Sequence, residues 1–349
     1  MEAWLAEHYI HSDLHIPDQM LQNFLDLWVR GQQLTQWLPD FSKGEVATDV
    51  DELAPQSLEL MQKHYDLSLP LMQACLGPTM KYSMAFWEGG ATSLEDAQVA
   101  MMDNLCRKAQ IEDGQSILDL GCGFGSLAAF ILERYPNCEV VGLNLSRIQS
   151  QYIRKQQGRR GNPLMNPSFS LIEQDFNFFQ SNRQFDRVLS VGFFEHVLDL
   201  DKALAKIAAL LEPEGLCFLH YIVRQGIAPE PSEIQAASNT FIQRFIFPGS
   251  TIHTYQRIMK STQHLQVKDA WYINGKNYEQ TLAAWIQNFQ SQRESIRLKT
   301  RLDESMLRLW HLYLRACIAL FRLKGGQLYG NGQYLLSRSE GNQAEGLLH

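Results

Sequence analysis

The pattern of apolar and polar positions changes character near residue 109. Beyond it, short apolar runs alternate with segments in which apolar residues recur at helical spacing. The predicted strands are Ser116–Leu120, Cys138–Leu143, Phe169–Ile172, Arg187–Val191 and Leu216–Val223, with predicted helices at Leu127–Arg134 and Leu200–Leu211. Buried strands that alternate with helices predict an α/β fold with a mostly parallel, doubly wound sheet, because right-handed crossovers place helices on its faces.

The segments on either side of this alternation are predicted to be mainly helical. In residues 1–55, an N-terminal helical segment, one helix face carries Leu21, Phe24, Leu25 and Trp28. Residues 56–108 are expected to form a helical cap, and residues 109–338 the main domain, with a helical lid inserted at about 224–262. After the lid, the pattern predicts a strand at Leu265–Tyr272, helices at Tyr278–Phe289 and Glu304–Phe321, and a frayed polar tail at 339–349.

Composition and charge narrow the class of protein. Of the 349 residues 45% are hydrophobic, and the net charge of −7 leaves no basic footprint for nucleic acid. None of the six cysteines falls in a C-x-x-C pair, so the sequence predicts neither a metal site nor a disulfide framework. The N-terminus is unlike a secretory signal, and the apolar run Met306–Phe321 is shorter than the roughly 20 residues of a membrane span. We therefore expect a cytoplasmic protein with reduced thiols.

A glycine-rich turn follows the first predicted strand. Residues Leu118–Ser126 read LDLGCGFGS, in which Gly121, Gly123 and Gly125 form a G-x-G-x-G pattern preceded by Asp119. Glycines allow a ligand to approach the backbone closely, and a helix N-terminus offers unpaired N–H groups. A dinucleotide site is built in a similar way, and a plain βα turn is the simpler alternative. The spacing and the aspartate are typical of a turn that binds the methionine part of S-adenosylmethionine.

Polar residues follow the second and third predicted strands. No acidic residue ends the second strand, where a NAD site usually has one; Asn144, Leu145 and Gln149 are instead expected to contact the cofactor, the two amides at its ribose. Gln149 could also lie on an exposed helix face. Asp175 and Phe176 follow the third strand and are predicted to bind the adenine, the alternative being an aspartate that caps a turn.

Eight short motifs occur in order between residues 56 and 338. They are His64–Ser68, Lys81–Ser83, Leu94–Gln98, LDLGCGFGS, GLNLSRIQ, VGFFEHV, Arg244–Gly249 and Tyr278–Trp285. Together they resemble the cyclopropane-fatty-acyl-phospholipid synthase superfamily, which includes mycolic acid cyclopropane synthases and coclaurine-type N-methyltransferases. The resemblance implies a Rossmann-like class I methyltransferase with S-adenosylmethionine as its cofactor. It also implies that Tyr65 and Tyr82 close over the methionine end of the cofactor, although a tyrosine beside an apolar run is more often a packing residue. Ser83, in the same motif as Tyr82, is a further cofactor-binding candidate.

Glu195 is the candidate catalytic residue. It follows the predicted strand Arg187–Val191 within the run Phe193-Phe194-Glu195-His196, so we expect it at the carboxyl end of a central strand. Apolar neighbours would desolvate the carboxylate and raise its pKa, whereas a surface ion pair is the alternative. His196 is either a further catalytic residue or a structural partner of Glu195.

The resemblance adds two residues to the catalytic site. His220 lies inside a predicted strand, where a histidine is usually a hydrogen-bonded core residue, but it matches the family's site histidine, as Tyr278 matches its site tyrosine. In the lipid-modifying members, the glutamate, histidine and tyrosine hold a bicarbonate base together with backbone groups near the positions of Met84 and Ile222. The family usually has cysteine at the position of Met84, a change that a backbone contact would tolerate.

Two kinds of acceptor fit the resemblance. Gly192 is shared with the lipid-modifying members, whereas coclaurine-type enzymes commonly carry a second glutamate there. The segments Arg107–Leu127 and Asn274–Trp285 are closer to the coclaurine group. We favour a small-molecule amine over an unsaturated acyl lipid with bicarbonate as base, and a non-catalytic cofactor-binding module is the third alternative. Residues 1–55 could dock on a membrane surface, cover the site or form a homodimer contact.

Overall fold

The computed structural model describes residue 9 and residues 16–35, 68–226, 252–260, 263–300 and 302–339. The predictions for Tyr65, for most of residues 1–55, for most of the lid and for nearly all of the tail lie outside these residues. The strands are β1 Ser116–Leu120, β2 Glu139–Asn144, β3 Phe169–Glu173, β4 Phe185–Val191, β5 Leu211–Arg224, β6 His253–Thr254, β7 Leu265–Asn274 and β8 Tyr329–Arg338. The helices are α1 Asp18–Thr35, α2 Leu69–Leu76, α3 Leu94–Lys108, α4 Ser126–Arg134, α5 Arg147–Gln157, α6 Leu200–Leu210, α7 Arg257–Lys260, α8 Lys276–Lys299 and α9 Glu304–Phe321.

The described strands form one sheet in the order β3-β2-β1-β4-β5-β8-β7, with β6 paired to the end of β5. Strands β1 to β5 pair in parallel, whereas β8 runs antiparallel to both β5 and β7. The predicted α/β class and mostly parallel sheet are therefore confirmed. The order of the strands reverses between β1 and β4, and the carboxyl ends of strands at such a switch point are where α/β sheets bind ligands.

The sequence pattern does not predict strand β8. Its first half contains Gly330, Asn331, Gly332 and Gln333, residue types that are depleted in strands or favoured in turns. All four are buried, because β8 lies between β5 and β7. The amides of Asn331 and Gln333 both lie within hydrogen-bond distance of His220 on β5, and this pairing across the sheet allows them to be buried.

Two other elements are longer than predicted. Strand β5 begins at Leu211, where it pairs with Phe185 ahead of a register shift, whereas the apolar pattern starts at Leu216. Helix α8 continues to Lys299, although the pattern predicts an end at Phe289. Its last turns carry mostly polar residues around one buried side chain, Ile296, and so lack the apolar spacing of a helix. In both cases the pattern detects the buried part of an element better than its exposed continuation.

Helix α1 packs against α9. Its buried stripe consists of Leu21, Leu25 and Val29. Phe24 is 42% exposed, so the prediction that it shares this face is wrong; the stripe advances by four residues at a time and turns Phe24 toward solvent. Asp18, at the start of α1, accepts a hydrogen bond of 2.6 Å from Arg315 of α9, which joins the two helices.

Helix α9 has the predicted bounds and is almost entirely buried. Even so, none of the helices in the described ranges combines the length and the apolar character that a bilayer crossing requires. All six cysteines are buried free thiols.

Candidate active site

A cleft of about 1180 Å³, including the open solvent at its mouth, lies at the carboxyl ends of β1, β2 and β4. The predicted site residues that line it are Tyr82, Gly121, Gly123, Asn144, Leu145, Gln149, Asp175, Phe176 and His196. Its lining does not include Ser83, Asp119, Gly125, Glu195, His220 or Tyr278. Of these, Tyr278 is half-buried with its ring stacked on Phe321, and the other five are buried.

The glycine-rich turn between β1 and α4 adopts the left-handed conformation at each of its three glycines. Gly121, Gly123 and Gly125 have φ values of +76°, +57° and +78°, which other residues rarely adopt. A Cβ at Gly121 would lie 3.0 Å from Phe193, and one at Gly125 would lie 3.1 Å from Leu164. At Gly123 a Cβ would have no atom within 4 Å, and this glycine lines the cleft. Gly123 is therefore the position where the backbone is open to a ligand.

Asn144, at the end of β2, braces this turn. Its side-chain nitrogen donates to the carbonyl of Gly123 at 2.9 Å, and its oxygen accepts from the N–H of Ser146 at 3.3 Å. Gln149 is only 5% exposed and lines the cleft, so the alternative that it sits on an exposed helix face is wrong. Its contact with a ribose remains a prediction, and Asn144 has a bracing role that the sequence does not indicate.

The loop after β3 forms another wall of the cleft. Asp175 accepts a hydrogen bond from the N–H of Asn177 at 2.8 Å, so it does cap a turn, as the simpler alternative predicts. Lys206 holds the same loop by donating to the carbonyls of Phe176 at 2.5 Å and Asn177 at 3.0 Å. The Phe176 ring meets Phe193 edge to face at 5.8 Å. Binding of adenine by this loop remains a prediction.

The motif Leu94–Gln98 has a structural purpose. Gln98 is fully buried in α3, and its amide nitrogen donates to the carbonyls of Leu76 and Lys81, both at 3.2 Å. Its oxygen accepts from the hydroxyl of Thr79 at 2.5 Å. The buried amide of Gln98 thus fixes the turn that precedes Lys81 and Tyr82, two residues that line the cleft.

A second motif fixes the segment that follows. The hydroxyl oxygen of Thr281, in α8, accepts from the N–H of Ala85 and from the indole N–H of Trp87, both at 3.0 Å. Its own hydrogen goes to the carbonyl of Asn277 at 2.6 Å. The motif Tyr278–Trp285 therefore ties α8 to the chain beside the cleft.

Lys81 is a cleft-lining residue that the sequence interpretation missed as a site residue. It is 8% exposed, and burial lowers its pKa although the nearby Asp119 acts in the opposite direction. Asp119 is 1% exposed, and burial raises its pKa to about 6. Lys81 belongs to the motif Lys81–Ser83, which could have marked it as a site residue. Lysine is usually exposed, however, and a single lysine in a loop gives no indication that it is buried.

Glu195 lies in a 3₁₀ turn, Phe194–His196, directly after β4. It is 6% exposed, and Oε1 accepts a hydrogen bond from the backbone N–H of Ile222 at 2.8 Å. Oε2 is buried, and no group in the described part of the chain forms a hydrogen bond with it. Burial raises the pKa of Glu195 to about 7, which the bond from Ile222 opposes. The predicted rise is confirmed and the surface ion pair is wrong; His196 lines the cleft and does not bond to Oε2.

His220 is a fully buried imidazole held between two amides of β8. Lys108 donates to the oxygen of Gln333 at 2.6 Å, so the amide nitrogen of Gln333 faces Nδ1 of His220 at 3.0 Å and donates to it. In the neutral ring the proton is then on Nε2, which lies 3.0 Å from the amide of Asn331. The amide atom at that distance is the nitrogen of Asn331, which is itself a donor. Turning this amide by 180° would present its oxygen, which has no partner in the described part of the chain, to the Nε2 proton. Burial, together with Lys81 and Lys108, lowers the pKa of His220 to about 3.

Some of the groups that the resemblance assigns to bicarbonate already have partners in this arrangement. The N–H of Ile222 is donated to Glu195, and both ring nitrogens of His220 are engaged by β8. Tyr278 stacks on Phe321 at a centroid distance of 4.4 Å. An anion that used the nitrogens of Ile222 or His220 would have to displace existing hydrogen bonds of buried groups, which is costly.

The sheet order, the glycine-rich turn and the cleft at the switch point define a class I S-adenosylmethionine-dependent methyltransferase. Residues 54–330 match the family model described as mycolic acid cyclopropane synthetase, and the chain belongs to that family. The resemblance noted from the motifs is confirmed.

The relatives include proteins named for two kinds of reaction. The cyclopropane-fatty-acyl-phospholipid synthase of Escherichia coli (strain K12) is 32% identical over 283 residues, which cover 80% of this chain and 68% of that protein. The (S)-coclaurine N-methyltransferase of Papaver somniferum is 25% identical over 285 residues, which cover 79% of this chain and 80% of that one. A crystal structure of coclaurine N-methyltransferase bound to N-methylheliamine and SAH has a TM-score of 0.81 and 21% identity, covering 96% of this chain and 99% of that chain.

Proposed function

We propose that this methyltransferase methylates the nitrogen of a small-molecule amine. The observation that carries the proposal is the state of Glu195, a buried carboxyl group. One oxygen is held by Ile222, and the other has no partner among the residues that the structure describes. Its raised pKa, about 7, is suited to a group that exchanges a proton near neutral pH. Glu195 does not line the cleft itself, but its neighbours Phe193 and His196 do, and a buried polar atom that lacks a partner in the described part of the chain beside a cleft is a candidate ligand contact.

Glu195 would act on the acceptor through Oε2. When bound, S-adenosylmethionine supplies an electrophilic methyl group on its sulfur. Oε2 would accept the proton that the amine must lose, or would stabilise the positive charge that the nitrogen gains. The walls of the cleft, fixed by Gln98 and Thr281, would hold the two reactants in line and exclude water, and such positioning supplies much of the rate in transfers of this kind.

The cleft also suits the cofactor part by part. Gly123 leaves the backbone open at the turn, and Gln149 is a buried amide available to a ribose. Asp175 and Phe176 would receive the adenine, and Tyr82 would close over the methionine end. Tyr82 is held for this by its hydroxyl, 3.4 Å from that of Tyr313.

The second candidate acceptor is the double bond of an unsaturated acyl lipid. Gly192 favours it, because this cleft-lining position carries no carboxylate that could bind a cationic amine product. The higher identity to the Escherichia coli synthase, 32%, points the same way. Against it stands the engagement of Ile222 and His220, which leaves their nitrogens without a free bond for a bicarbonate base.

The two candidates are separated by following the methyl group. We expect label from methyl-labelled S-adenosylmethionine to enter secondary amines from a panel, and not vesicles of unsaturated phospholipid. The rate should be the same in carbonate-free buffer and in buffer with added bicarbonate. Label in the lipid, or a rate that requires bicarbonate, would overturn the amine proposal. Binding of S-adenosylhomocysteine with no transfer to either acceptor would instead indicate a non-catalytic module.

A further inference from the structure

Helix α1 has a row of exposed apolar side chains on the side that faces away from α9. Met20, Phe24 and Leu27 are 62%, 42% and 69% exposed, and their spacing of four and three residues places them on one helix face. Single exposed apolar residues are common, whereas a contiguous exposed apolar surface marks an interaction site. This row, the exposed stripe, is therefore the feature of α1 that a partner would cover.

Both acidic residues of α1 are paired with arginines of α9 or of the residue that follows it. Asp18 pairs with Arg315 at 2.6 Å, and Asp26 pairs with Arg322 at 2.9 Å. The remaining charged residue of α1, Arg30, is exposed, lies one helical turn after the exposed stripe, and forms no ion pair with the residues that the structure describes. Helix α1 thus presents apolar side chains and a positive charge outward, although the whole chain has a net charge of −7.

A cavity beside the end of α1 adds further positive charge. It has a volume of about 550 Å³, including the open solvent at its mouth, and its lining includes Arg30, Arg322 and Lys324, with Asp26 as the acidic residue among them. Arg322 is engaged by Asp26 and, at 2.8 Å, by Glu279. Arg30 and Lys324 have no ion-pair partner in the described ranges. Two unpaired cations at one cavity are the complement of an anion such as a phosphate group.

The cavity lies at the same edge of the sheet as the cleft. Lys324 and Gly325 precede β8, whose first residue, Tyr329, pairs with Arg224 at the carboxyl end of β5. The cleft lies at the carboxyl ends of β1, β2 and β4, and these strands run parallel to β5. A partner bound at the cavity would thus lie at the edge of the sheet that carries the cleft.

We propose that α1 docks the protein on an anionic phospholipid surface. The exposed stripe enters the boundary between headgroups and acyl chains, and Arg30 and Lys324 bind a lipid phosphate at the cavity. A lipid surface fits better than a folded protein, because it accepts side chains that project from a single helix without a matching groove. Docking requires no methyl transfer, so the inference goes beyond the proposed function and is independent of the acceptor.

Flotation of the full chain with vesicles, without cofactor or acceptor, tests the proposal separately from the amine proposal. We expect binding to vesicles of equal parts phosphatidylglycerol and phosphatidylcholine to be at least about 10-fold stronger than to phosphatidylcholine alone, because each cation near an anionic surface contributes about fivefold. Added salt should weaken this binding. No binding to the anionic vesicles, or equal binding to both kinds, would overturn the proposal.

The variant Leu27→Gln tests the exposed stripe. It should weaken binding to the anionic vesicles at least about 10-fold, because it removes an apolar side chain from the lipid contact. Leu298→Gln is the matched control and should bind as wild type. Leu298 is 76% exposed near the end of α8, where Arg293 pairs with Glu304 at the beginning of α9, whereas the exposed stripe runs toward the end of α9. Equal losses in the two variants would indicate non-specific adsorption and would overturn the proposal.

The variants Arg30→Gln and Lys324→Gln test the cationic cavity. Each should lower the affinity for anionic vesicles about fivefold and leave the affinity for phosphatidylcholine unchanged. Lys155→Gln, at an exposed lysine of α5, should change neither. A second copy of this chain on the exposed stripe would give another pattern, a dimer in light scattering that Leu27→Gln dissociates, without vesicle binding. That pattern would overturn the lipid proposal.

Discussion

The backbone N–H of Ile222 donates a hydrogen bond of 2.8 Å to Oε1 of Glu195. This bond joins the last part of β5 to the turn after β4 and fixes the orientation of the carboxyl group. Because Oε1 is engaged, Oε2 is the oxygen left for a ligand, and it is buried with no partner within residues 68–226 or the other described ranges. The geometry thus makes Glu195 a group with one structural and one available oxygen.

Replacing Glu195 by glutamine should lower kcat at least about 100-fold and leave the Kd for S-adenosylhomocysteine within a factor of about two, as expected for loss of a general base or an electrostatic contact. Glutamine keeps an oxygen that accepts from Ile222, so the fold of the turn should be retained. Steady-state kinetics and calorimetry measure the two quantities. Glu139→Gln, at an exposed glutamate paired with Arg183, is the matched control. Near-normal turnover in Glu195→Gln would show that the residue is structural.

The pH dependence of the wild type should report the same group. With a pKa of about 7, Glu195 is mostly protonated below neutral pH and then cannot accept a proton, so kcat/KM should rise as pH increases through about 7. In Glu195→Gln this limb should disappear, leaving any rise that comes from deprotonation of the amine itself. An identical limb in both proteins would assign the titration to another group.

The stability of Glu195→Gln should exceed that of the wild type at pH 8. Burial raises the pKa of the folded state from 4.5 to about 7, so the folded protein binds this proton more tightly than the unfolded chain. Stability from this group is therefore present below about pH 4.5 and lost as pH rises through about 7, by an amount on the order of 3 kcal/mol. Thermal unfolding at pH 5 and pH 8 measures the difference, which should be larger at pH 8. A difference that does not change with pH would contradict the raised pKa.

Gly123→Val should abolish binding of S-adenosylhomocysteine, because the new side chain would enter the open space at the cleft in front of the turn. The positive φ of Gly123 adds backbone strain, which needs its own control. Gly161→Val provides it, since Gly161 also has a positive φ, +82°, and open space around its Cβ position, but does not line the cleft. A thermal shift with added ligand should be lost in the first variant and kept in the second. Ligand binding by Gly123→Val would refute the role of the turn.

His220 should be neutral with its proton on Nε2 at all pH values above about 4. Burial lowers its pKa to about 3, and Gln333, anchored by Lys108, donates to Nδ1. Imidazole ¹⁵N shifts of the labelled protein distinguish the two tautomers and the charged ring directly. Lys108→Met, which frees the amide of Gln333 to rotate, should broaden or mix these signals. A charged ring at pH 6 would contradict the arrangement and would return His220 to the candidates for an anion contact.

The sequence by itself determined the parts of this protein that depend on local pattern. Short apolar runs predicted β1 to β5 because buried strands require them, and the glycine spacing predicted a turn whose backbone a ligand can approach. The position of Glu195 at the end of β4, and the rise in its pKa, followed from its place after a strand and from its apolar neighbours.

Only the tertiary structure decided which polar groups are paired. Strand β8 is rich in glycine and amides, and it is a strand because β5 and β7 provide its partners; His220 and Gln333 meet although 113 residues separate them in the chain. Phe24 is exposed and Lys81 is buried, each against the tendency of its residue type. Burial and hydrogen bonding are properties of a residue's neighbours in space, and sheet register and helix packing set those neighbours across distances that local sequence pattern does not encode.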